Sequence, residues 1–300
     1  MSRLEIVHDT IYRYRRPVSF GPHRLVLRPR EGHDVDVVSM RLDVSPSYEL
    51  RWARDAFDNS VATVVVTEPA AELAIRSRVV LERAADADEP RAVLRPTGYP
   101  VAYTPLEAPL AAVYLAPASG DGEGAFAVRA FVHETIGLPA EGDAATVLPR
   151  LNAEIHRRIR YRRREQKGVQ APAETIALGS GSCRDLATLM IECARALGVA
   201  ARFVSGYLDC AASTAGRAST HAWVEVYLPD SGWCGFDPTI AEPTSHKHVV
   251  VAVSNHPRGV MPVSGTFTGS ADDYLGLEVK VSITNGRRAE RAAPAAMTSG

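Results

Sequence analysis

The sequence of 300 residues predicts an α+β protein, in which an N-terminal antiparallel β-sandwich precedes a domain of helices packed on an antiparallel sheet. Two patterns lead to this prediction. Short segments with period-two patterning run from Leu4 to about Ala84, and in the second half of the chain helix-like segments come before β-type segments. A chain of this length is long for one compact core, which favours two folding units.

Residues 1–84 are interpreted as the β domain. Segments such as LEIVHDTIYRY, DVVSMRLDVS and SVATVVVTE are separated by turn sequences such as RPVSFGP, at a spacing typical of a sandwich, and DAFDNS is interpreted as a hairpin turn. Residues 85–121 contain six prolines and no sustained periodicity, which predicts a linker or a strap over a surface.

Residues 122–286 are interpreted as the α+β domain. Helices are expected at 123–137, at 148–164 and from about Cys183 onwards. The β-type segments that follow include ARFVSGYLD, HAWVEVYLPDSGWCGFDP, KHVVVAVS and YLGLEVKVSIT. Residues 287–300 are predicted to be a disordered tail.

Composition narrows the range of partners. The formal net charge of -1 provides no reason to expect nucleic acid, and the basic run at 157–164, RRIRYRRR, is interpreted as the solvated face of a helix. No apolar stretch approaches the ~18 residues of a membrane-spanning helix, so no membrane association is expected. The N-terminal sequence has no apolar region of the secretory type, and we therefore expect a cytoplasmic protein.

The four cysteines show no C-x-x-C spacing, which disfavours a zinc ribbon or a thioredoxin-type site. Reduced thiols are the default in the expected compartment. The remaining histidines, including His246 and His248, show no metal-binding spacing with carboxylates and are predicted to be surface groups. We expect no metal and no cofactor.

One cysteine begins a predicted helix. In GSCRDLATLMIECARALGV, apolar residues recur at helical spacing, and Ser182 with Asp185 three positions later fits a capping box that makes Cys183 the first helical residue. A helix start carries unpaired N–H groups and partial positive charge, which favour a thiolate and can stabilise an oxyanion through the Cys183 backbone N–H. The sequence identifies no second oxyanion donor. The alternative is an inert buried thiol, which is our interpretation of Cys193 in the apolar stripe.

A histidine and an aspartate follow on neighbouring strands. In THAWVEVYLPDSGWCGFDPT, two strands flank the turn sequence PDSG, and a loop with an odd number of residues, closed by a left-handed Gly232, places His221 and Asp237 on one face. An even loop would separate them. With the odd loop, Asp237 orients the imidazole while its other nitrogen pairs with the Cys183 thiol, the arrangement that nucleophilic cysteine catalysis requires.

At these motifs the sequence resembles the transglutaminase-like superfamily, in the bacterial type with an N-terminal β domain. HDTIYRYRRPVSFGPHRLVLRPR and DAFDN extend the resemblance to the N-terminal region. The resemblance implies a papain-like core in which Cys183 is the nucleophile, His221 the general base and acid, and Asp237 the residue that orients His221. Leu186 and Ile240 differ from residues frequent in the family, which bears on substrate choice. We find no acidic loop with EF-hand spacing for calcium.

The resemblance implies a thiol-dependent enzyme that acts on a peptide or glutamine amide through a thioester. Water as acceptor would make it a peptidase or amidase, which we favour, and an amine acceptor would make it a transglutaminase. A third alternative is a non-catalytic binding module, although such proteins usually lack one of the three residues. The expected partner is a peptide or protein substrate, with or without an amine. The physiological substrate, the role of the β domain and the oligomeric state do not follow from the sequence.

Overall fold

A computed structural model of the protein describes residues 2–84, 89–117, 123–137, 142–164, 166–211 and 220–286. The predicted tail at 287–300 lies outside the described residues. The strands are β1 (Ser2–Phe20), β2 (His23–Leu25), β3 (Val35–Ser45), β4 (Tyr48–Arg54), β5 (Ser60–Val66), β6 (Ala70–Arg83), β7 (Gly98–Tyr99), β8 (Gly142–Asp143), β9 (Arg160–Tyr161), β10 (Ser180–Gly181), β11 (Ala201–Leu208), β12 (His221–Leu228), β13 (Gly232–Asp237), β14 (Glu242–Pro243), β15 (His248–Ser254), β16 (Val263–Ser264), β17 (Phe267–Thr268) and β18 (Tyr274–Gly286). The helices are α1 (Ala108–Leu115), α2 (Glu123–Ile136), α3 (Ala144–Arg158), α4 (Pro172–Leu178) and α5 (Cys183–Ala196), with 3-10 turns η1 (Pro257–Val260) and η2 (Ala271–Asp273).

The N-terminal unit consists of two antiparallel sheets, which confirms the predicted β-sandwich. One sheet has the order β18-β1-β6-β3, with β17 pairing the end of β1, and the other has the order β16-β2-β5-β4. Leu73 and Ile75 of the first sheet pack on Ala62 and Val64 of the second. DAFDNS forms the predicted hairpin connection, because it joins β4 to β5.

The predicted boundary of the second unit at residue 286 is wrong. Residues 263–286 return to the sandwich, where β16 pairs with β2, β17 with β1, and β18 with β1 along most of its length. The alternation in YLGLEVKVSIT identifies a strand, but it carries no information about which edge the strand joins. Here β18 covers an edge of β1 that would otherwise expose unpaired backbone groups, and it buries Val281 and Ile283.

The second unit packs helices on a sheet of order β14-β13-β12-β11-β15, as the predicted α+β fold requires. Helix α5 lies on β11 and β12, and its apolar stripe is completely buried. Helix α2 agrees with the prediction for 123–137. Helix α3 covers 144–158 rather than the predicted 148–164, because Asp143 caps its start by accepting from Ala145 N and because the chain leaves the helix to form β9.

The proline-rich segment lies over the second unit as a strap, and it contains a helix, α1, that its composition did not predict. Tyr114 of α1 packs edge-on against Trp233, with ring centroids 5.0 Å apart. The hydroxyl of Tyr103 accepts a hydrogen bond from Ala200 N at 2.7 Å. Tyr103 and Tyr114 of the strap therefore pack against the β12–β13 hairpin and the residue before β11. No helix in the described ranges is long and apolar enough to cross a bilayer.

Buried polar contacts join the two units. Asn59, in the β4–β5 connection, donates from Nδ2 to the Val253 carbonyl at 2.8 Å and accepts from Val253 N at 2.9 Å. Arg83 donates to the His246 carbonyl at 2.8 Å and to Asp209 at 3.2 Å. His8 contacts the Tyr207 hydroxyl through Nδ1 at 2.9 Å, and burial lowers the pKa of His8 to about 4. The sandwich is thus fastened to strands of the sheet that carries the site described below.

We expect Asn59→Ala to lower the free energy of unfolding by about 2–4 kcal/mol, because it leaves two buried backbone groups of Val253 without partners. Urea denaturation followed by circular dichroism measures this change. Asn285→Ala, at an exposed position of β18, is the matched control and should stay within about 0.5 kcal/mol of the wild type. Equal stabilities of the two variants would contradict a structural role for the Asn59 contact.

Candidate active site

The nucleophile candidate, Cys183, is the first residue of α5, as its sequence context predicts. The carboxylate of Asp185 accepts from Ser182 N at 2.8 Å and from Ser182 Oγ at 2.7 Å, so the predicted capping pair is present. Cys183 is 9% exposed, so little of the residue is open to solvent. This position sets the sulfur against the unpaired N–H groups and partial positive charge of the helix start.

Asp185 also fixes the chain segments around the nucleophile. Its buried carboxylate accepts from Gln170 N at 2.7 Å and from Arg164 Nη1 at 3.0 Å. A Cβ atom at Gly181 would lie 2.7 Å from the Asp185 Cβ, so only glycine fits at this approach. Hydrogen bonds from Ser182, Gln170 and Arg164 to Asp185 therefore fix the loop before Cys183.

The β12–β13 hairpin has the odd loop that the sequence argument needs. Leu228 pairs with Gly232 across a loop of three residues, and Gly232 is left-handed with φ of 72°. This register places His221 and Asp237 on the same face, with His221 Nε2 2.6 Å from Asp237 Oδ2. The Cys183 thiol lies within hydrogen-bonding reach of the same imidazole. The structure thus brings together all three residues that the sequence singled out.

Four donors converge on the Asp237 carboxylate, which is fully buried. Oδ1 accepts from Thr239 N at 2.9 Å and from Thr239 Oγ1 at 2.6 Å. Oδ2 accepts from His221 and, at 3.2 Å, from His248 Nε2. These four hydrogen bonds compensate for the loss of hydration of the buried Asp237 charge, which would otherwise destabilise the fold.

The pKa values of the pair shift in opposite directions. Burial lowers the pKa of His221, but the charge of Asp237, the hydrogen bond to it and the contact with Cys183 raise it by more, to about 10. Burial raises the pKa of Asp237, but the charge of His221 and the hydrogen bonds from His221, His248 and Thr239 hold it well below its usual range. At neutral pH the pair is therefore an imidazolium facing a carboxylate.

The prediction that His246 and His248 are surface groups is wrong, since both are buried. His248 is 2% exposed and its Nδ1 accepts from Ser245 N at 3.2 Å, which places its proton on Nε2, where it donates to Asp237. The sequence pattern does not indicate this contact, because His248 begins β15, which joins the sheet beside β11 and not beside β13. Only a predicted strand order could have indicated the contact.

Trp223 packs against both imidazoles. Its ring centroid is 6.1 Å from that of His221 and 5.1 Å from that of His248, and the side chain is completely buried. A Cβ atom at Gly206 would meet the Trp223 ring at 2.6 Å, so glycine makes room for the indole. The tryptophan thereby keeps both rings in place on the sheet.

His221, Asp237 and His248 offer three ligand atoms within 4.8 Å of one another, which is a spacing that a metal ion could use. Both imidazoles, however, point to one carboxylate oxygen at hydrogen-bonding distance. These hydrogen bonds account for the grouping. The three residues thus form a pair of histidines that both hydrogen-bond to one carboxylate.

Two family models match the chain in separate regions. Residues 4–82 match the bacterial transglutaminase-like N-terminal region, and residues 129–238 match the transglutaminase-like superfamily. The chain is therefore similar to transglutaminase-like proteins in both regions. The two matched regions correspond to the sandwich and to the unit that carries Cys183, His221 and Asp237.

Two bacterial proteins are similar to this chain over very different shares of their length. An uncharacterized protein of Mycobacterium tuberculosis is 28% identical over 299 residues, which cover 93% of this chain and 92% of the relative. A protein-glutamine gamma-glutamyltransferase of Pseudomonas aeruginosa is 39% identical over 66 residues, which cover 20% of this chain and 10% of that protein. The latter similarity is therefore local.

A crystal structure from Cytophaga hutchinsonii, of a protein assigned provisionally as a cysteine protease, has the same fold. The TM-score is 0.71 with 17% sequence identity, and the match covers 96% of this chain and 92% of that chain. The sandwich and the transglutaminase-like core thus occur together in a solved protein.

We expect Asp237→Asn to lower the pKa of His221 clearly below 10, because the substitution removes the charge that raises it most while burial still lowers it. NMR titration of isotope-labelled histidine measures the midpoint. Because the folded pKa lies above the unfolded value of 6.5, the His221 charge contributes stability that is complete below pH 6.5 and is lost as the pH rises to about 10. Asp58→Asn, on the exposed hairpin loop, is the control, and a midpoint that stays near 10 in Asp237→Asn would disprove the ion pair.

We expect His248→Ala to lower kcat tenfold or more with a smaller effect on KM, because a hydrogen bond to a charged group is worth about 1.5–3 kcal/mol. The reaction rate of Cys183 with iodoacetamide, measured against pH, should change its profile as well. His248→Gln can still donate to Asp237 and should recover part of the rate. The exposed His33→Ala is the control, and an unaltered pH profile in His248→Ala would show that His248 is only structural.

Proposed function

We propose that the protein is a thiol-dependent enzyme that acts on amide bonds, in a peptide or a glutamine side chain, through a thioester on Cys183. One observation carries the proposal: His221 Nε2 lies 2.6 Å from the buried carboxylate of Asp237, and Cys183 lies near enough to the same ring to raise its pKa. Cysteine catalysis requires a nucleophile, a base and a group that orients the base, and the positions of Cys183, His221 and Asp237 support these three roles.

The proposed reaction uses groups that are already in place. The thiolate of Cys183 attacks the amide carbonyl, and the backbone N–H of Cys183 at the start of α5 stabilises the oxyanion. The imidazolium of His221 gives its proton to the departing amine or ammonia as the C–N bond breaks, which leaves the thioester. His221 then takes a proton from water or from an amine as that acceptor attacks, and the thiolate is regenerated.

We propose hydrolysis as the main outcome and transfer to an amine as the alternative. Both outcomes use the same three residues and differ in the acceptor that reaches the thioester. The local similarity to a protein-glutamine gamma-glutamyltransferase supports acyl chemistry at an amide, and the fold shared with a provisionally assigned cysteine protease is compatible with hydrolysis. A binding module without activity is the less favoured alternative, since it has no need of the ion pair.

We also propose the cytoplasm as the compartment. The support is chemical, because the buried Cys183, Cys193 and Cys234 form no disulfide in the structure. Free thiols are usual in a reducing compartment. Fractionation of cells that express the protein, probed with an antibody, distinguishes cytoplasm from periplasm.

We expect Cys183→Ala to lower turnover by at least about a thousandfold while the fold stays intact, because the substitution removes the sulfur on which the proposed thioester forms. Ammonia release and incorporation of a labelled primary amine are measured in parallel on a glutamine-containing peptide, together with cleavage of its peptide bonds. Cys210→Ser, at an exposed cysteine, is the control and should retain activity.

The products distinguish the alternatives. Ammonia or a peptide fragment without amine incorporation identifies a hydrolase, and incorporation identifies a transferase. Selective labelling of Cys183 by limiting iodoacetamide at about pH 6 tests the thiolate independently of any substrate. Labelling spread over several cysteines, with no turnover in either assay, would overturn the proposed function.

A further inference from the structure

An arginine-rich segment runs beside the nucleophile. Strand β9 pairs in parallel with β10, so that Arg160 lies opposite Ser180 and Tyr161 lies opposite Gly181. Arg162 N donates to the Gly181 carbonyl at 2.7 Å. Residues 160–164, which we name the arginine segment, are thus hydrogen-bonded to the residues that immediately precede Ser182 and Cys183.

The basic run was expected to be the solvated face of a helix, and only its first part fits that expectation. Arg157 and Arg158, at the end of α3, form ion pairs with Glu154, and Arg158 pairs with Glu134 as well. The arginine segment lies beyond the helix. Its charges therefore require a different explanation.

The arginine segment has more positive charge than its carboxylate neighbours neutralise. Arg164 pairs with the buried Asp185. Arg160, Arg162 and Arg163 are exposed, and within the described ranges none of them forms an ion pair with a carboxylate. A negatively charged group that approached this surface would meet free guanidinium groups.

Arg184 adds a further charge next to the nucleophile. It follows Cys183 directly and is half-buried, and its Nη2 donates to the Gln166 carbonyl at 3.3 Å. In the part of the chain that the structure describes, its hydrogen bonds go to main-chain carbonyls and leave its positive charge uncompensated.

Tyr161 lies near enough to Cys183, Arg163 and Arg184 for their charges to affect its pKa. Burial raises the pKa of Tyr161, the negative charges of Cys183 and Asp237 raise it further, and Arg163 and Arg184 lower it. Tyr161 is 50% exposed, so part of its ring lies on the surface beside the residues that precede Cys183.

Two carboxylates of the site do not neutralise the positive charge of these arginines. Asp185 and Asp237 are fully buried, and each is paired with a cation on its own side. The guanidinium groups of Arg163 and Arg184 therefore stay without a carboxylate partner among the described residues, and guanidinium groups bind carboxylates with good geometry.

We propose that the arginine segment, with Arg184, selects acyl donors that carry carboxylates next to the reacting amide, which are acidic peptides. The inference rests on the proposed function, because it assigns a substrate class to the same thiol. The exposed guanidinium groups steer and hold the anionic flank, and the ring of Tyr161 supports the peptide chain.

The test compares two alkylating reagents that react with a thiolate by the same mechanism but differ in charge. The Cys183 thiolate attacks the α-carbon of iodoacetate or iodoacetamide, forms an S–C bond and displaces iodide into solution, and only the first reagent is an anion. The ratio of their rate constants, measured by peptide mapping on the full chain, reports the field at the thiol independently of substrate turnover. The variants are Arg163→Gln and the double variant Arg163→Gln/Arg184→Gln, and the control is Arg51→Gln on β4 of the sandwich.

We expect the ratio of iodoacetate to iodoacetamide rates to fall about two- to fivefold for each arginine removed. It should also fall in the wild type when salt rises from about 10 mM to about 0.3 M, because exposed charges are screened. Arg51→Gln should keep the wild-type ratio. Glutamine peptides flanked by glutamate should react with a lower KM than peptides flanked by lysine, and Arg163→Gln should reduce that preference.

Failure of this inference and failure of the proposed function give different results. Selective labelling of Cys183 with a ratio that neither variant nor salt changes would overturn the acidic-substrate inference and leave the proposed function standing. The absence of selective labelling by either reagent would overturn the proposed function. Tight binding of an RNA oligonucleotide at about 0.15 M salt, without preference among charged peptides, would assign the arginines to nucleic acid instead.

Discussion

The buried carboxylate of Asp237 is the constraint on which the arrangement of the site depends. A charge without water must have its lone pairs satisfied by protein donors, and here His221, His248 and both donors of Thr239 supply them. Each donor is fixed in return. The imidazole of His221 is held with one nitrogen on Asp237 and the ring beside Cys183, so the same hydrogen bonds that satisfy the buried charge also orient the proposed base.

A second buried carboxylate, that of Asp185, has the corresponding role for the nucleophile. It closes the cap of α5 with Ser182, ties Gln170 and Arg164 to the same point, and leaves no room for a side chain at Gly181. Because Arg164 is held in this way, the exposed residues before it lie along the nucleophile loop and not along helix α3. Asp185, which caps α5, thus also determines the position of the arginine segment relative to the Cys183 thiol.

The two structural units support one another through strands distant in sequence. The last strand, β18, returns to pair with the first, β1, so the sandwich is complete only when the chain has passed through the second unit. Asn59 from the sandwich hydrogen-bonds to Val253 in β15, the strand that also begins with His248. The sandwich therefore contacts the sheet near the site, which gives it a structural connection to the proposed chemistry.

The sequence by itself determined the features that depend on a few neighbouring residues. A capping pair three positions apart and a helical apolar stripe placed Cys183 at a helix start, and a turn with glycine at its end set the parity that unites His221 with Asp237. What only the tertiary structure decided are contacts between elements far apart in the chain: the partner of β18, the end of α3, and the place of His248 on Asp237. Periodicity records which face of a strand is buried but not which strand lies beside it, and for that reason the second histidine and the charged surface beside the thiol became visible only in the folded chain.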